Sequence, residues 1–312
     1  MRKVLKEAWG LGIGGLSFIY LIFILNPIQM LSAVVYPFSA KLCRAMNRWC
    51  AQSIWSLWVV MAEVQNGIRL RFTGDSIPKK ENAIIIANHQ SMVDVMVLLC
   101  FAWRCGRIGD MKFFVKDMIK YFPGVGWGMK FLDCVFVKRN WADDQNEISR
   151  LFGKFKAEQI PIFLVSFLEG TRMTPQKLAQ TQDFAKREGL YVPQHTLVPR
   201  TKGFSASLDG LRDHIDAVYD LTIGYVGETP GLIDCFAARP ERMEVHVRRY
   251  AVADLPTEPE AVRQWAFRRY EEKDALLETF YAKGQFPGEC PGSLRHGPQR
   301  QGGKTSRQPL YQ

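Results

Sequence analysis

The sequence predicts an α/β fold, a mixed sheet flanked by helices, behind an N-terminal membrane-embedded helical segment. Three observations predict it. From residue 64 onward, short β-rich runs alternate with longer amphipathic ones. Residues 8–40 carry no charged side chain, a run longer than the roughly 20 positions that span a bilayer. Hydrophobic residues make up 47% of the 312 positions, which is enough for a full core and too many for disorder. The expected organisation is a membrane anchor with an interfacial helix over 1–63, a globular domain over 64–286 and a disordered tail over 287–312. That tail is rich in Gly, Pro, Gln and Arg.

The N-terminal run lacks a small-residue cleavage site after a short apolar core, so it is expected to be a retained anchor. Asn26-Pro27 interrupts it near the middle, and basic residues flank both ends: Arg2, Lys3 and Lys6 before it, Lys41, Arg44 and Arg48 after it. That balance gives no orientation by the positive-inside rule. It fits one tilted span or a bent hairpin. Residues 49–62 are also uncharged but too short to cross comfortably, and Trp49, Trp55 and Trp58 are spaced as interface anchors would be. A helix in or on the membrane is expected, the alternative being a buried helix of the globular domain.

Within that domain the expected strands are 68–72, 83–87, 162–167, 218–226 and 243–250, and the expected helices 91–103, 143–158, 176–188, 204–215 and 258–281. Gly124, Gly126 and Gly128 lack the spacing of a dinucleotide fingerprint and read as a loop needing flexible backbone. Seven cysteines without a C-x-x-C pair argue against disulfides or zinc, and five scattered histidines show no metal-ligand spacing. The net charge of +10 suggests an acidic partner: nucleic acid, anionic lipid or a phosphorylated small molecule.

The most informative segment is Asn88-His89-Gln90-Ser91-Met92-Val93-Asp94, at the end of an apolar run. On a continuous helix, five residues put His89 and Asp94 roughly 140° apart. They therefore need a chain break between them. Ser91-x-x-Asp94 reads as a capping box that supplies one, with Ser91 as N-cap. His89 would then lie just before the helix and Asp94 in its first turn.

Three further segments share a phosphate-binding theme. Phe136-Val137-Lys138-Arg139 ends an apolar run with two cations, an arginine fork and a lysine point charge. Phe167-Leu168-Glu169-Gly170-Thr171-Arg172 runs an apolar strand into a carboxylate, a glycine that lets backbone approach a ligand, and two donors for phosphate. Val198-Pro199-Arg200-Thr201-Lys202-Gly203 places two more cations before a helix.

In this order the segments resemble the lysophosphatidate and glycerolipid acyltransferase family, whose first motif is N-H-x-x-x-x-D and whose third is F-P-E-G-T-R. The match is close at His89, Asp94, Glu169, Gly170, Thr171 and Arg172. Gly126-Trp127-Gly128-Met129, Arg139-Asn140-Trp141 with Asp144, Pro199 to Phe204, and Lys273-Asp274 look like the branch containing lysocardiolipin and lysophosphatidylinositol acyltransferases. Leu168 stands where the family has proline, and Lys138 where many members carry another residue. The resemblance implies acyl-CoA as co-substrate with no cofactor or metal, a lysophospholipid acceptor with lysophosphatidate the default, and a site at the cytoplasmic face of a membrane, the inner one in a bacterium. It leaves open glycerol 3-phosphate, lysophosphatidylinositol or lysocardiolipin as acceptor, and a CoA-independent transacylase.

The residues suit that chemistry. His89 would take the proton of the attacking hydroxyl while Asp94 holds the other ring nitrogen. The substrate supplies the nucleophile, so no acyl-enzyme is expected. Arg139 and Arg172, helped by Lys116 and Lys138, would bind phosphate, and the resemblance puts Glu169, Gly170 and Thr171 in the same region. A membrane protein that only binds anionic lipid or nucleic acid is the competing class; no aromatic-and-basic nucleic-acid module appears, so nucleic acid is not an expected partner.

Overall fold

The uncharged N-terminal run forms one long helix. In the computed structural model, which describes residues 2–138, 140–237 and 242–295, α1 (Arg2–Tyr20) passes through a π-turn at Leu21–Leu25 into α2 (Asn26–Val35). The break expected at Asn26-Pro27 does not occur. The wider turn just before Pro27 accommodates a ring that would clash in a regular helix interior. Glu7–Val35 is long and apolar enough to cross a membrane. The chain reverses at residues 36–39, and α3 (Ala40–Val60) returns against α2, capped by Ser39 Oγ accepting from Leu42 N at 3.1 Å.

That returning helix corrects the interfacial expectation. Its residues 43, 47, 50, 51, 54, 55 and 59 are buried, a helical stripe facing the domain. Trp55 meets Phe113 edge-on with centroids 6.1 Å apart, and Trp58 Nε1 donates to Ser17 Oγ at 2.9 Å. Only Trp49 of the three is exposed. Trp55 is buried and Trp58 half-buried against the domain.

Seven strands follow among the described residues: β1 (Arg69–Gly74), β2 (Ala83–Ala87), β3 (Met111–Lys116), β4 (Val135–Val137), β5 (Phe163–Ser166), β6 (Ala217–Tyr225) and β7 (Arg242–Ala251). They lie in the order β1-β7-β6-β2-β5-β3-β4, parallel throughout except β6 with β7. The mixed sheet flanked by helices is as expected. Between the strands run α4 (Val93–Cys105), α5 (Val125–Phe131), α6 (Trp141–Ala157), α7 (Pro175–Arg187), α8 (Thr201–Leu211) and α9 (Leu232–Phe236), and α10 (Pro259–Lys283) follows β7.

Strand periodicity assigns the two faces. Ala83, Ile85 and Ala87 join a core with Ile54 and Trp55 of α3 and Val97 and Phe101 of α4. Ile84 and Ile86 join the other, with Phe152 and Phe155 of α6, Phe204 and Leu208 of α8, and Trp265 of α10. Leu21 and Leu25 of the N-terminal helix belong to the first core, so anchor and domain share packing. β3 escaped sequence reading because Lys112 breaks its apolar pattern. The Lys112 ammonium is buried, donates to Leu132 O at 2.7 Å and sits over the Phe155 ring; burial pushes its pKa down.

The glycines expected in a loop instead let α5 pack closely. A Cβ at Gly126 would lie 1.9 Å from Ile119 O, and Asn26 exchanges hydrogen bonds of 2.8 and 3.2 Å with the Gly124 main chain. Residues 287–295 do not form the disordered start of a tail, since Leu294 is buried and its carbonyl accepts from Arg104 Nε at 3.1 Å. Residues 296–312 lie outside the described residues.

Trp55→Ala should cost about 3–5 kcal/mol in a denaturant titration, and Trp49→Ala within about 0.5 kcal/mol. Equal, small effects would contradict the buried assignment of α3.

Candidate active site

The site forms where β2 ends. Asn88, fully buried, substitutes its side chain for backbone: Nδ2 donates to Ile223 O at 2.9 Å and Oδ1 accepts from Ile223 N at 2.8 Å. This continues the β2–β6 ladder by one residue, then frees the main chain to turn. His89 follows. Its N–H donates to Glu169 Oε1 at 3.2 Å, its carbonyl accepts from Met173 N at 2.7 Å, and its ring stacks on Phe167 with centroids 4.0 Å apart.

The structure brings His89 and Asp94 together as the sequence predicted, His89 Nδ1 lying 2.9 Å from Asp94 Oδ2. The same oxygen accepts from Gln90 N at 2.7 Å and Ser91 N at 2.9 Å, while Oδ1 accepts from the Tyr225 hydroxyl. The cap differs from a full capping box. The helix starts at Val93, and Ser91 Oγ accepts from Val93 N and donates to Pro230 O, so only the Asp94-to-Ser91 half of the box forms. With Nδ1–H committed to Asp94, the lone pair is on Nε2, which has no hydrogen bond among the described residues. The imidazole keeps 12% of its side-chain surface exposed; Asp94 keeps none.

Glu169 departs from the phosphate-site expectation. It is 2% exposed and lies beneath the His89 main chain, and Oε2 has no hydrogen-bond partner among the described residues. Burial pushes its carboxyl well above the ordinary value of 4.5; the hydrogen bond from His89 N and the charge of Lys273 oppose the rise, and the Asp94 charge adds to it. Gly170 has φ +67° and its N–H donates to Phe167 O at 2.9 Å. The space a side chain would take there is occupied by Arg200, whose Cδ would lie 3.1 Å from an added Cβ. Thr171 Oγ1 accepts from Lys177 Nζ at 2.6 Å.

Arg172 and Arg200 are exposed, and neither guanidinium has a hydrogen bond or ion pair among the described residues. Sequence reading placed Arg200 in a cationic turn but not in the site. Its main-chain N donates to Leu168 O at 2.7 Å. The preceding loop is gathered by Asp274, which accepts from Tyr191 Oη, Gln194 N, His195 N and Thr196 Oγ1.

Lys116 and Lys138, both exposed, end β3 and β4 at the same sheet edge. Registers Ile86↔Ser166, Phe113↔Val165 and Lys116↔Val137 bring the ends of β2, β5, β3 and β4 out at the same end of the sheet. At about 4.8 Å per strand, Lys116 is two strands and Lys138 three strands from β2, roughly 10 and 14 Å. Arg139 lies outside the described residues. The arrangement offers a base backed by a buried carboxylate beside a row of cations.

A profile of the Acyltransferase family matches residues 69–204, and one of the Acyltransferase C-terminus matches 234–309. The chain is 33% identical to the probable 1-acyl-sn-glycerol-3-phosphate acyltransferase 5 of Arabidopsis thaliana, an alignment covering 83% of this chain and 70% of that protein. It belongs to the 1-acyl-sn-glycerol-3-phosphate acyltransferase family. Other relatives are the gamma enzyme of that name from Homo sapiens, 32% identical over 88% of this chain and 74% of that one, and lysocardiolipin acyltransferase 1 of Mus musculus, 33% identical over 85% and 70%. The fold is shared with the crystal structure of the 1-acyl-sn-glycerophosphate acyltransferase PlsC from Thermotoga maritima: TM-score 0.54, 17% identity, covering 90% of this chain and 97% of that one. Within this acyltransferase, the C-terminal region contributes α10, whose Tyr270 hydroxyl donates to Ala87 O at 3.0 Å and whose Tyr281 hydroxyl pairs with the Gln90 side chain.

The raised Glu169 pKa sets a pH dependence. The folded state keeps a proton that the unfolded state releases, so the stability contributed by Glu169 is fully present below pH 4.5 and is lost as pH rises toward the raised value. Glu169→Gln, which retains a carbonyl for the His89 N–H, should flatten the fall of melting temperature with pH above that point. Parallel curves for variant and wild type would refute the assignment.

Proposed function

We propose that this acyltransferase moves a fatty acyl chain from acyl-CoA to the free hydroxyl of a lysophospholipid, with lysophosphatidate the default acceptor. The observation that carries the reading is the His89–Asp94 pair, 2.9 Å apart, with Nε2 free of hydrogen bonds among the described residues. Nε2 takes the proton of the acceptor hydroxyl as its oxygen attacks the thioester carbonyl. Asp94 stabilises the imidazolium that forms. When the tetrahedral intermediate collapses, the carbon–sulfur bond breaks and the departing thiolate of coenzyme A recovers the proton from His89. The Gly170 N–H is committed to Phe167 O, so the next main-chain donors, Thr171 and Arg172, are the better candidates to hold the oxyanion.

Arg172 and Arg200 would take the acceptor phosphate as bidentate forks, with Thr171 beside them and Lys116 and Lys138 serving phosphates further along the sheet edge; Arg139 keeps the phosphate-binding role its sequence motif implies. Glu169 and Gly170 support this turn rather than touch the substrate. The apolar helix Glu7–Val35 and the exposed Phe23, Leu31, Val34 and Phe38 support embedding in a bilayer, where a lysophospholipid and its product reside. A water-soluble acyl-CoA would approach from the cytoplasmic side.

Purified protein in vesicles, given oleoyl-CoA and a panel of lysophosphatidate, lysophosphatidylinositol, lysocardiolipin and glycerol 3-phosphate, should release free thiol with at least one lysolipid. His89→Ala should lower kcat roughly 10²–10⁴-fold; unchanged acyl transfer would sink the proposal. Arg172→Ala should raise KM for the phosphorylated acceptor roughly tenfold or more, and an unaltered KM would remove Arg172 from the phosphate site.

A further inference from the structure

The catalytic carboxylate has a partner that the motifs do not contain. β6 alternates its side chains, sending Tyr219, Leu221, Ile223 and Tyr225 to the face covered by α4. β6 runs parallel to β2 with Ala87 opposite Leu221, and Asn88 bonds Ile223 in both directions. The last residue of the strand therefore comes beside the first turn of α4. There the Tyr225 hydroxyl donates to Asp94 Oδ1, 131 positions away in sequence.

We propose that Tyr225 is a positioning residue for acyl transfer, acting through Asp94 to set the aim and the basicity of His89. Its donor occupies the one carboxylate oxygen that the turn leaves unused. Gln90 N, Ser91 N and His89 Nδ1 all converge on Oδ2. With Oδ1 held by the phenol, the carboxylate cannot rotate, and Oδ2 stays opposite Nδ1. The bond also draws electron density from the carboxylate, which limits how strongly Asp94 stabilises the imidazolium and so keeps His89 able to release its proton to the leaving thiolate.

The surroundings fit this role. Tyr225 is 2% exposed and Asp94 fully buried, so water offers no substitute donor. The groups facing the phenol are Asp94, Cys235 and Tyr281; those facing Asp94 include His89 and Glu169. Burial first, then the Asp94 charge, raises the Tyr225 pKa well above its ordinary value, so it remains a donor across the working range.

The inference rests on the general-base reading of His89 and is tested separately from it. Wild type should acylate the lysolipid panel and His89→Ala should not; failure there would overturn the proposed function, whatever Tyr225 does. Tyr225→Phe keeps the ring and removes the donor. It should lower kcat roughly tenfold with KM nearly unchanged, and move the acid limb of the kcat/KM profile up by about half a pH unit or more, because a less hydrogen-bonded Asp94 stabilises the imidazolium better. Site-specific 3,5-difluorotyrosine at position 225 preserves packing with a stronger donor and should move the limb down, which keeps the test available if the phenylalanine variant folds poorly. Acid limbs that stay at the wild-type position in the folded variants, with kcat within about twofold, would overturn the proposal and leave Tyr225 a packing residue.

Discussion

Burying one carboxylate organises this protein's chemistry. Asp94 has no solvent exposure, and taking an ionised carboxylate out of water costs several kcal/mol unless donors replace the water. The two main-chain N–H groups of the turn, the imidazole and the phenol of β6 supply them. Meeting that requirement bends the chain between β2 and α4 and settles which ring nitrogen of His89 points inward. The geometry of the His89–Asp94 pair is thus a consequence of satisfying a buried charge. Phe167 and Glu169 then hold the imidazole and its main chain from the neighbouring strand.

The cationic edge has a comparable support at a distance. α10 lies along one face of the sheet and ties three stretches of the site together. Tyr270 holds the end of β2, Tyr281 holds Gln90, and Asp274 collects the loop that leads to Arg200. Lys273, next to Asp274, is itself buried and donates to Asp220 and Leu221 O on β6. The Lys273-Asp274 pair therefore joins sheet and loop. Residues matched by the Acyltransferase C-terminus profile form part of the frame around the turn that carries His89 and Asp94.

The N-terminal hairpin combines two opposed surfaces. Its outer side is apolar and exposed, whereas its inner side carries Asn26, Gln29, Ser32 and Asn47, all buried and hydrogen-bonded. Asn26 and Gln29, on an otherwise apolar helix, fix its rotation and its height against α5 through Gly124 and Gly128, and Asn47 of α3 ties the two arms of the hairpin together through Ser32. The hairpin is registered to the sheet and does not hang from it as a separate anchor.

Much of this was legible along the chain. The apolar run, the strand and helix periodicities, and the pairing of His89 with Asp94 across a chain break rest on local spacing and backbone geometry, and local spacing survives into the fold. β3 was hidden because a buried lysine, Lys112, reads as surface until Leu132 O and the Phe155 ring are brought to it. Trp55 and Trp58 read as interfacial because hydrophobicity alone does not distinguish a bilayer from a protein core. Glu169 lies under the His89 loop, away from the phosphate region the resemblance implied, and Arg200, to which the sequence gave no part in the site, comes over Gly170. Tyr225 gave no local signal, since its partner is brought to it by parallel strand pairing from 131 residues away. Sequence alone determined that His89 pairs with Asp94, because those groups are neighbours in the chain. Only the tertiary structure decided which groups aim them and which cations stay free, because hydrogen-bond partners are allotted when distant strands meet.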